Sequence, residues 1–219
     1  MAVAVPTLSL ERRLLKETPL VFACDEVGRG ALAGPVAVGA SVVDAASARR
    51  RVPVGLRDSK LVPEPKRADV AARAAGWVLA SAVGWATAAE IDEVGIIRAL
   101  GLAAVRALAG LEEQGFAAAA GVVLLDGNYD YINPVSPSRL AVRPVIKADR
   151  DCASASAASV IAKVARDTHM VGLHDDHPAY EWSSNKGYAS PTHRAAIREV
   201  GLSSHHRQSW AIADAPTLF

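Results

Sequence analysis

Uninterrupted apolar runs mark the strands of this chain. Runs at 20–24 and 36–43 predict two buried strands, and the glycine-rich loop between them is short enough for an antiparallel pair. The runs at 77–85, 121–125 and 142–146 predict three more strands. The run at 121–125 is continuously apolar, which is typical of a strand buried on both faces, and therefore predicts the central strand.

Apolar residues at helical spacing predict the helices, which cover 96–114 and 153–169. Thr87 and Glu90 have the spacing of a capping box and predict a short helix through Val94. Ser190 followed by Pro191 predicts the start of a last helix that runs to about Val200. Strands come first and then alternate with helices, so the pattern predicts an α/β fold with a mixed sheet.

The 219 residues, 51% of them hydrophobic, are enough for one domain with a substantial core. Charged residues interrupt the first 18 positions, so no signal peptide is predicted, and no run reaches the roughly 18 to 20 apolar residues of a membrane span. Cys24 and Cys152 are the only cysteines, without a CxxC pair, which fits packed side chains in a reducing compartment. We therefore expect a cytoplasmic protein.

The net charge of +1 hides an uneven distribution. The segment 49–67 has seven basic side chains against Asp58 and Glu64, whereas 87–130 has seven acidic ones against Arg98 and Arg106. Such asymmetry predicts a basic side that could meet phosphates. From charge alone, a solvated loop is the simpler interpretation of the basic segment.

Four acidic residues stand where predicted strands end, namely Asp25, Glu26, Asp126 and Asp149. Because neighbouring side chains on a strand point to opposite faces, Asp25 and Glu26 could share a site only if the backbone turns between or just after them. Converging carboxylates would need a positive partner, and magnesium or manganese favours such oxygen ligands. Taken one at a time, each acid is more simply interpreted as an ordinary strand-end or turn residue, and the spacing alone does not overturn that interpretation.

The string Asp25-Glu26-Val27-Gly28-Arg29-Gly30-Ala31-Leu32-Ala33-Gly34-Pro35-Val36 resembles the signature of the type 2 ribonucleases H. Further matches follow in order from about residue 21 to 210, and include Asp58-Ser59-Lys60, Glu90-Ile91-Asp92, Leu125-Asp126-Gly127, Lys147-Ala148-Asp149, the run 157–167, Lys186-Gly187-Tyr188 and His206-Arg207-Gln208-Ser209-Trp210.

The resemblance implies a ribonuclease H-like fold, in which helices flank a mixed five-stranded sheet. It implies one domain with a catalytic core at about 18–170 and a C-terminal helical extension at about 171–219. The implied activity is endonucleolytic. It cuts on the 5′ side of ribonucleotides, in RNA/DNA hybrids and singly within duplex DNA, by a two-metal-ion mechanism that leaves 3′-hydroxyl and 5′-phosphate ends.

The metal ligands implied by the resemblance are Asp25, Glu26, Asp126 and Asp149, with Mg²⁺ or Mn²⁺ as the cofactor. Asp130 and Asp151 lie nearby in the sequence and are competing candidates for the third and fourth metal ligands. Asp149 is preferred because it alone follows the matching Lys-Ala pair. The polar segment after it, Arg150-Asp151-Cys152, departs from the family pattern.

The resemblance also implies a substrate-binding set. The backbone of Gly28-Arg29-Gly30 would approach the ribose and sense its 2′-hydroxyl, and Tyr188 would pack on the following sugar. Lys60, Lys163 and Arg166 would hold phosphates, and Ser59 would add a hydroxyl donor. The alternatives are a loop-anchoring role for Tyr188 and a solvated helix face for Lys163 and Arg166.

Two other functions remain open. Ribonuclease HIII shares the fold, but the resemblance to it is weaker because it carries a sizeable N-terminal domain and usually a glutamate as fourth ligand. Only 24 residues precede Asp25 here. A non-catalytic nucleic-acid-binding module is the second alternative. We expect a monomer, and the segment 213–219 is a candidate docking tail for a replication clamp, a partner that the sequence does not establish.

Overall fold

The computed structural model describes residues 5–210. Its centre is one five-stranded sheet of order β3-β2-β1-β4-β5. The strands are β1 (Leu20–Val27), β2 (Val36–Val43), β3 (Ala80–Ala86), β4 (Gly121–Asp126) and β5 (Ala141–Val145). β2 pairs antiparallel with β1 and β3, while β4 pairs parallel with β1 and β5. The predicted α/β class with a mixed sheet is confirmed.

Helices cover both faces of this sheet and continue beyond it. They are α1 (Ser9–Leu14), α2 (Glu64–Trp77), α3 (Ala88–Val94), α4 (Ile96–Glu112), α5 (Ala148–Asp151), α6 (Ala153–Asp176), α7 (Trp182–Asn185) and α8 (Pro191–Val200). A 3₁₀ turn, Ser59–Leu61, precedes α2. No helix in the described range is long and apolar enough to cross a membrane.

The central strand β1 is buried on both faces. Phe22 and Cys24 point toward α4 and join one core, while Val21 and Ala23 point toward α6 and join the other. This double burial explains why the strand appears in the sequence as a continuous apolar run rather than as an alternating one. It also holds the carboxyl end of β1 rigidly between two helical layers.

Several boundaries agree with the prediction and others do not. β2 and α8 have the predicted limits, and Thr87 forms a capping box with Glu90. The third strand begins at Ala80 rather than at residue 77, because Trp77 ends α2, a helix that the sequence analysis missed. α6 continues to Asp176 instead of ending at residue 169.

The C-terminal helices form a separate small core with the loop that follows β1. Leu32, Met170, Trp182 and Ile197 pack together there. The chain then returns to the sheet, where His206 bridges Ala33. The carboxylate of Asp92 accepts hydrogen bonds from the backbone of Gln208 and Ser209. The segment after α8 is therefore tied to the loop beside β1.

Candidate metal centre and nucleic-acid interface

Three aspartates meet at the carboxyl end of the central strands. β1 and β4 run parallel with Cys24 opposite Leu125, so Asp25 and Asp126 follow as neighbours. Asp149 belongs to the short helix α5, and its backbone N–H donates to Asp126 Oδ1 at 3.2 Å. One carboxylate oxygen from each aspartate lies within 4.8 Å of the others.

The turn before α5 brings Asp149 to the site. Lys147 has a φ of 61°, the left-handed conformation that non-glycine residues seldom adopt, and α5 starts directly after it. The two competing aspartates have other partners. Asp130 accepts hydrogen bonds from the backbone of Ile132 and Asn133, and Asp151 pairs with Arg150 at 2.7 Å.

Glu26 lies outside this group of three carboxylates. β1 continues to Val27 without a turn at Glu26, so the side chains of Asp25 and Glu26 leave opposite faces of the strand. Glu26 Oε1 is 3.4 Å from Arg29 Nη1. Its charge nevertheless raises the pKa of both Asp25 and Asp126, which places it at the edge of the site.

The crowding of acids in a buried place favours their protonated forms. Burial first, and then the charge of Glu26, raises the pKa of Asp25 well above its usual value. Burial and Asp126 together raise the pKa of Asp149 to about 6. A divalent cation would relieve the same repulsion, and an all-carboxylate donor set suits hard ions such as Mg²⁺ and Mn²⁺.

Ser159 supports Asp25, and Ser59 in turn contacts Ser159. Ser159 lies on α6, and a hydrogen bond from its side chain lowers the pKa of Asp25 against the larger effect of burial. The hydroxyl groups of Ser159 and Ser59 are 3.0 Å apart, and both side chains are buried. Ser59 thus packs against the serine that supports Asp25, and its role as a hydroxyl donor to a phosphate stays a prediction. Ser159 was within a matching motif, but sequence reasoning gave it no role.

The Gly28-Arg29-Gly30 loop contains two glycines in contrasting surroundings. Gly28 has a φ of +83°, and a side chain there would overlap the Arg166 guanidinium. Gly30 is exposed, and a Cβ built on it has no heavy atom within 4 Å. The first glycine is required by the fold, and the second leaves open space above the backbone.

Two buried arginines clamp this loop. Arg166 donates to the carbonyl oxygens of Pro35, Lys186 and Ala33 at 2.8 to 3.1 Å. Arg207 donates to the carbonyl oxygens of Gly28 and Arg29 at 2.6 and 2.7 Å. Neither guanidinium forms an ion pair with a carboxylate of the described residues.

The burial of Arg166 bears on its predicted role as a phosphate-binding residue. Its side chain is inaccessible to solvent, so contact with a phosphate would require it to leave three carbonyl acceptors. The arrangement favours positioning of the loop over the phosphate contact that the sequence analysis expected. Sequence reasoning missed the role of Arg207, although the residue stands in the matching His-Arg-Gln-Ser-Trp string.

Tyr188 faces the same clamp. Its ring centroid lies 5.4 Å from Arg166 Cζ and 5.6 Å from Lys163 Nζ. Lys163 is paired with Asp167 at 2.8 Å, and Lys60 extends into solvent with its ammonium 3.8 Å from Asp149. Arg166 therefore contacts Gly28 on one side and Tyr188 on the other, which joins the loop and the tyrosine.

Comparison with known proteins identifies this arrangement. The model of the family described as Ribonuclease HII matches residues 23–213. The ribonuclease HII of Streptomyces coelicolor is 45% identical over 212 residues, which are 96% of this chain and 85% of the relative.

Two solved structures have the same architecture. The ribonuclease H2 of Pyrococcus horikoshii aligns with a TM-score of 0.65 and 25% identity, over 88% of this chain and 94% of that one. The ribonuclease HII in the PCNA complex of Archaeoglobus fulgidus aligns with a TM-score of 0.67 and 22% identity, over 87% and 95%. At that identity the second similarity bears on the fold alone.

Proposed function

The chain belongs to the ribonuclease HII family and is a metal-dependent ribonuclease H, and we propose that it cuts on the 5′ side of ribonucleotides in RNA/DNA hybrids and of single ribonucleotides in duplex DNA. The products would carry 3′-hydroxyl and 5′-phosphate ends. The observation that carries this proposal is the convergence of three aspartates, one of them on the strand that leads into the loop with the exposed Gly30 backbone, a loop that Arg166 joins to Tyr188.

Asp25, Asp126 and Asp149 are the proposed ligands of Mg²⁺ or Mn²⁺, and Glu26, whose charge reaches Asp25 and Asp126 from the edge of the site, is proposed as the fourth. Two such ions, when bound, would supply an activated water and stabilise the leaving oxygen. The aspartates fit that task because one carboxylate oxygen of each lies within 4.8 Å of the others, and a cation among them would offset the burial and mutual repulsion that raise their pKa. Ser159 would keep Asp25 oriented, and the backbone N–H of Asp149 would orient Asp126.

The remaining predicted residues would bind the substrate. The backbone at Gly30 would approach the ribose closely, because nothing else occupies that space. Tyr188 would cover the next sugar, with its ring held against Arg166. Lys60 and Lys163 would neutralise phosphates, and Arg166 would act through the loop rather than on the phosphate itself.

Cleavage of a duplex with one ribonucleotide tests the proposal. The substrate is labelled at either end and incubated with Mg²⁺, with Mn²⁺ or with a chelator, beside the same duplex made wholly of DNA. We expect one cut on the 5′ side of the ribonucleotide only when metal is present. An intact ribonucleotide duplex, with cleavage of long hybrids, would restrict the function to hybrids. No cleavage of either would favour the non-catalytic binding module.

Tyr188→Ala in the same assay tests the recognition surface. Loss of a stacking contact costs roughly 1 to 3 kcal/mol, so we expect a rate loss of about 10- to 100-fold on the single ribonucleotide. The loss should be smaller on a continuous hybrid, which offers many registers, and Tyr188→Phe should fall in between. Equal rates for Tyr188→Ala and the wild type on the single ribonucleotide would exclude this role.

Other expectations stay proposals. These are the division into a core at about 18–170 and an extension at about 171–219, the monomeric state and a cytoplasmic location. A replication clamp is a partner to test, since the Archaeoglobus protein was solved with PCNA. The candidate docking tail at 213–219 lies outside the described residues.

A further inference from the structure

A buried pair of histidines connects the backbone of Tyr188 to the segment that holds the glycine loop. His193 Nδ1 lies 2.8 Å from the carbonyl oxygen of Tyr188, and His193 Nε2 lies 3.0 Å from His206 Nε2. The next residue, Arg207, donates to the carbonyl oxygens of Gly28 and Arg29. Neither histidine side chain reaches solvent.

The fixed donors around this pair determine which nitrogen carries each proton. The backbone N–H of Ser203 donates to His206 Nδ1 at 2.9 Å, so the proton of a neutral His206 is on Nε2. That proton points at His193 Nε2, which also accepts from the indole N–H of Trp182 at 3.1 Å. The proton of His193 is therefore on Nδ1, facing a carbonyl oxygen that can only accept.

The backbone and indole donors around the pair favour two neutral rings, and the Ser203 hydroxyl, 3.0 Å from His206 Nδ1, can donate to the same nitrogen. A proton on His206 Nδ1 would face the Ser203 N–H, and one on His193 Nε2 would face two donors. Burial lowers the pKa of both histidines, and that of His206 falls to about 4. Tyr180 and Trp182 stack at 5.0 Å beside the pair and enclose it.

We propose that His193 and His206 are positioning residues for ribonucleotide recognition, which as a neutral pair fix the backbone of Tyr188 relative to the Gly28-Arg29-Gly30 loop. The inference rests on the proposed roles of that tyrosine and that loop. A tyrosine that covers one sugar must keep its distance from the loop that reads the adjacent ribose. The histidine pair spans the interior between these two elements.

Two substitutions of His193 distinguish a role in positioning Tyr188 from a role in packing alone. The amide nitrogen of Asn is as many bonds from Cα as Nδ1 of histidine, so His193→Asn keeps a donor toward the Tyr188 carbonyl. The amide of Gln is as many bonds from Cα as Nε2 of histidine. His193→Gln therefore keeps a partner for His206 and loses the hydrogen bond to the Tyr188 carbonyl oxygen. His193→Asn therefore removes the acceptor of both His206 and Trp182, whereas His193→Gln removes the bond to Tyr188, so a purely packing effect would be at least as large for Asn. His174→Gln on α6 is the matched control, since His174 Nδ1 makes no hydrogen bond.

The measurement is the ratio of kcat/KM on a single-ribonucleotide duplex to kcat/KM on a continuous hybrid, which cancels any loss of folded protein. We expect His193→Gln to lower this ratio about 5- to 10-fold, the effect of one hydrogen bond, in the same direction as Tyr188→Ala. His193→Asn should retain most of the ratio, and His174→Gln should not change it. Equal ratios for the Asn and Gln variants, with losses that only follow their melting temperatures, would overturn the inference.

The same experiment separates this inference from the proposed function. If the wild type fails to cut the single ribonucleotide, the proposed function fails. If Tyr188→Ala keeps the wild-type ratio, the role of the tyrosine fails and the inference falls with it. If Tyr188→Ala lowers the ratio and His193→Gln does not, the inference alone is wrong.

Nitrogen NMR of the wild-type protein gives an independent check that needs no variant. Long-range ¹⁵N–¹H spectra of labelled histidines distinguish the two neutral tautomers from each other and from the charged ring. We expect His193 with its proton on Nδ1 and His206 with its proton on Nε2 at neutral pH. A charged ring, or the Nε2 tautomer for His193, would contradict the proposed pair.

Discussion

At the scale of single residues, the site contains buried carboxylates whose charges destabilise the folded protein unless a cation compensates them. Asp25 and Asp149 are both more than nine-tenths buried, and their nearest polar neighbours include another acid. Lys60 supplies one positive charge, but its side chain is mostly exposed and screened by water. The metal-free site therefore opposes folding slightly at neutral pH, and bound cations reverse that effect.

Replacing one acid should accordingly remove activity and stabilise the metal-free protein. We expect Asp25→Asn, Glu26→Gln and Asp126→Asn each to lower the cleavage rate by at least about 100-fold, the scale for one preorganised electrostatic group. Asp126→Asn keeps an oxygen for the Asp149 N–H, and it should raise the melting temperature measured with a chelator. Asp151→Asn, at an exposed aspartate paired with Arg150, is the control that should retain activity.

The gain in melting temperature should depend on pH. The pKa of Asp149 is about 6 in the folded protein and lower when unfolded, so the folded state holds more protons between these values. The stability that this residue contributes is thus present at low pH and lost as the pH rises through about 6. The Asp126→Asn gain should be larger above pH 6 than well below it. An equal gain at all pH values would exclude charge repulsion as its cause.

At the scale of elements, the loop after β1 is shaped by segments that are distant in sequence. Arg166 comes from α6 and Arg207 from the segment after α8, and both donate to carbonyl oxygens of the loop region. Burial of two guanidinium groups without carboxylates is costly unless their donors are satisfied. The carbonyl acceptors meet that need, so the loop and the two arginines stabilise one another.

The two glycines of the loop should therefore respond differently to the same substitution. Gly28→Ala adds a strained φ and overlap with Arg166, and we expect a loss of roughly 1 to 3 kcal/mol in the free energy of unfolding. Gly30→Ala meets no neighbouring atom, so stability should change by less than about 0.5 kcal/mol. Its methyl group would enter the space proposed for the ribose, and cleavage of the single ribonucleotide should drop. Thermal melts and cleavage rates of both variants, measured together, check this. Full activity of Gly30→Ala would rule out a close approach at this residue.

At the scale of the whole molecule, the basic segment 49–67 is divided between opposite ends of the sheet. Arg49 follows β2, whose last residue, Val43, pairs with Val21 at the start of β1. Lys60 lies instead at the carboxyl end of β1, beside Asp149. Only the second part of the segment is close enough to the aspartates to contact the same nucleic acid backbone.

Binding across a salt series should reveal this division. In an Asp126→Asn background, which prevents cleavage, we expect Lys60→Ala to weaken binding to all duplexes about equally. The slope of log K against log salt should fall by about 0.9, the contribution of one phosphate contact. Lys163→Ala should change binding in the same direction. Arg49→Ala is the control that should leave the slope unchanged, and an unchanged slope for Lys60→Ala would place this lysine outside the interface.

The sequence by itself determined the features that depend on local patterns. Five strands, the capping box at Thr87 and the start of α8 follow from residue periodicity and capping preferences, and they were predicted within a few residues. The position of acids at strand ends was predictable for the same reason. The helix α2 was missed because its buried residues, Val70, Ala71, Ala74 and Trp77, are interspersed with charges and small residues.

Only the tertiary structure decided where side chains point and which of them are buried. The side chain of Glu26 points to the opposite face of β1 from that of Asp25, because the strand continues to Val27. The local sequence does not determine the residue at which this strand ends. The sequence placed Arg166, His206 and Arg207 in family motifs, but it did not indicate that these side chains and His193 are buried. Their burial depends on carbonyl oxygens and ring nitrogens that come from distant segments, and only the packing of those segments brings the partners together.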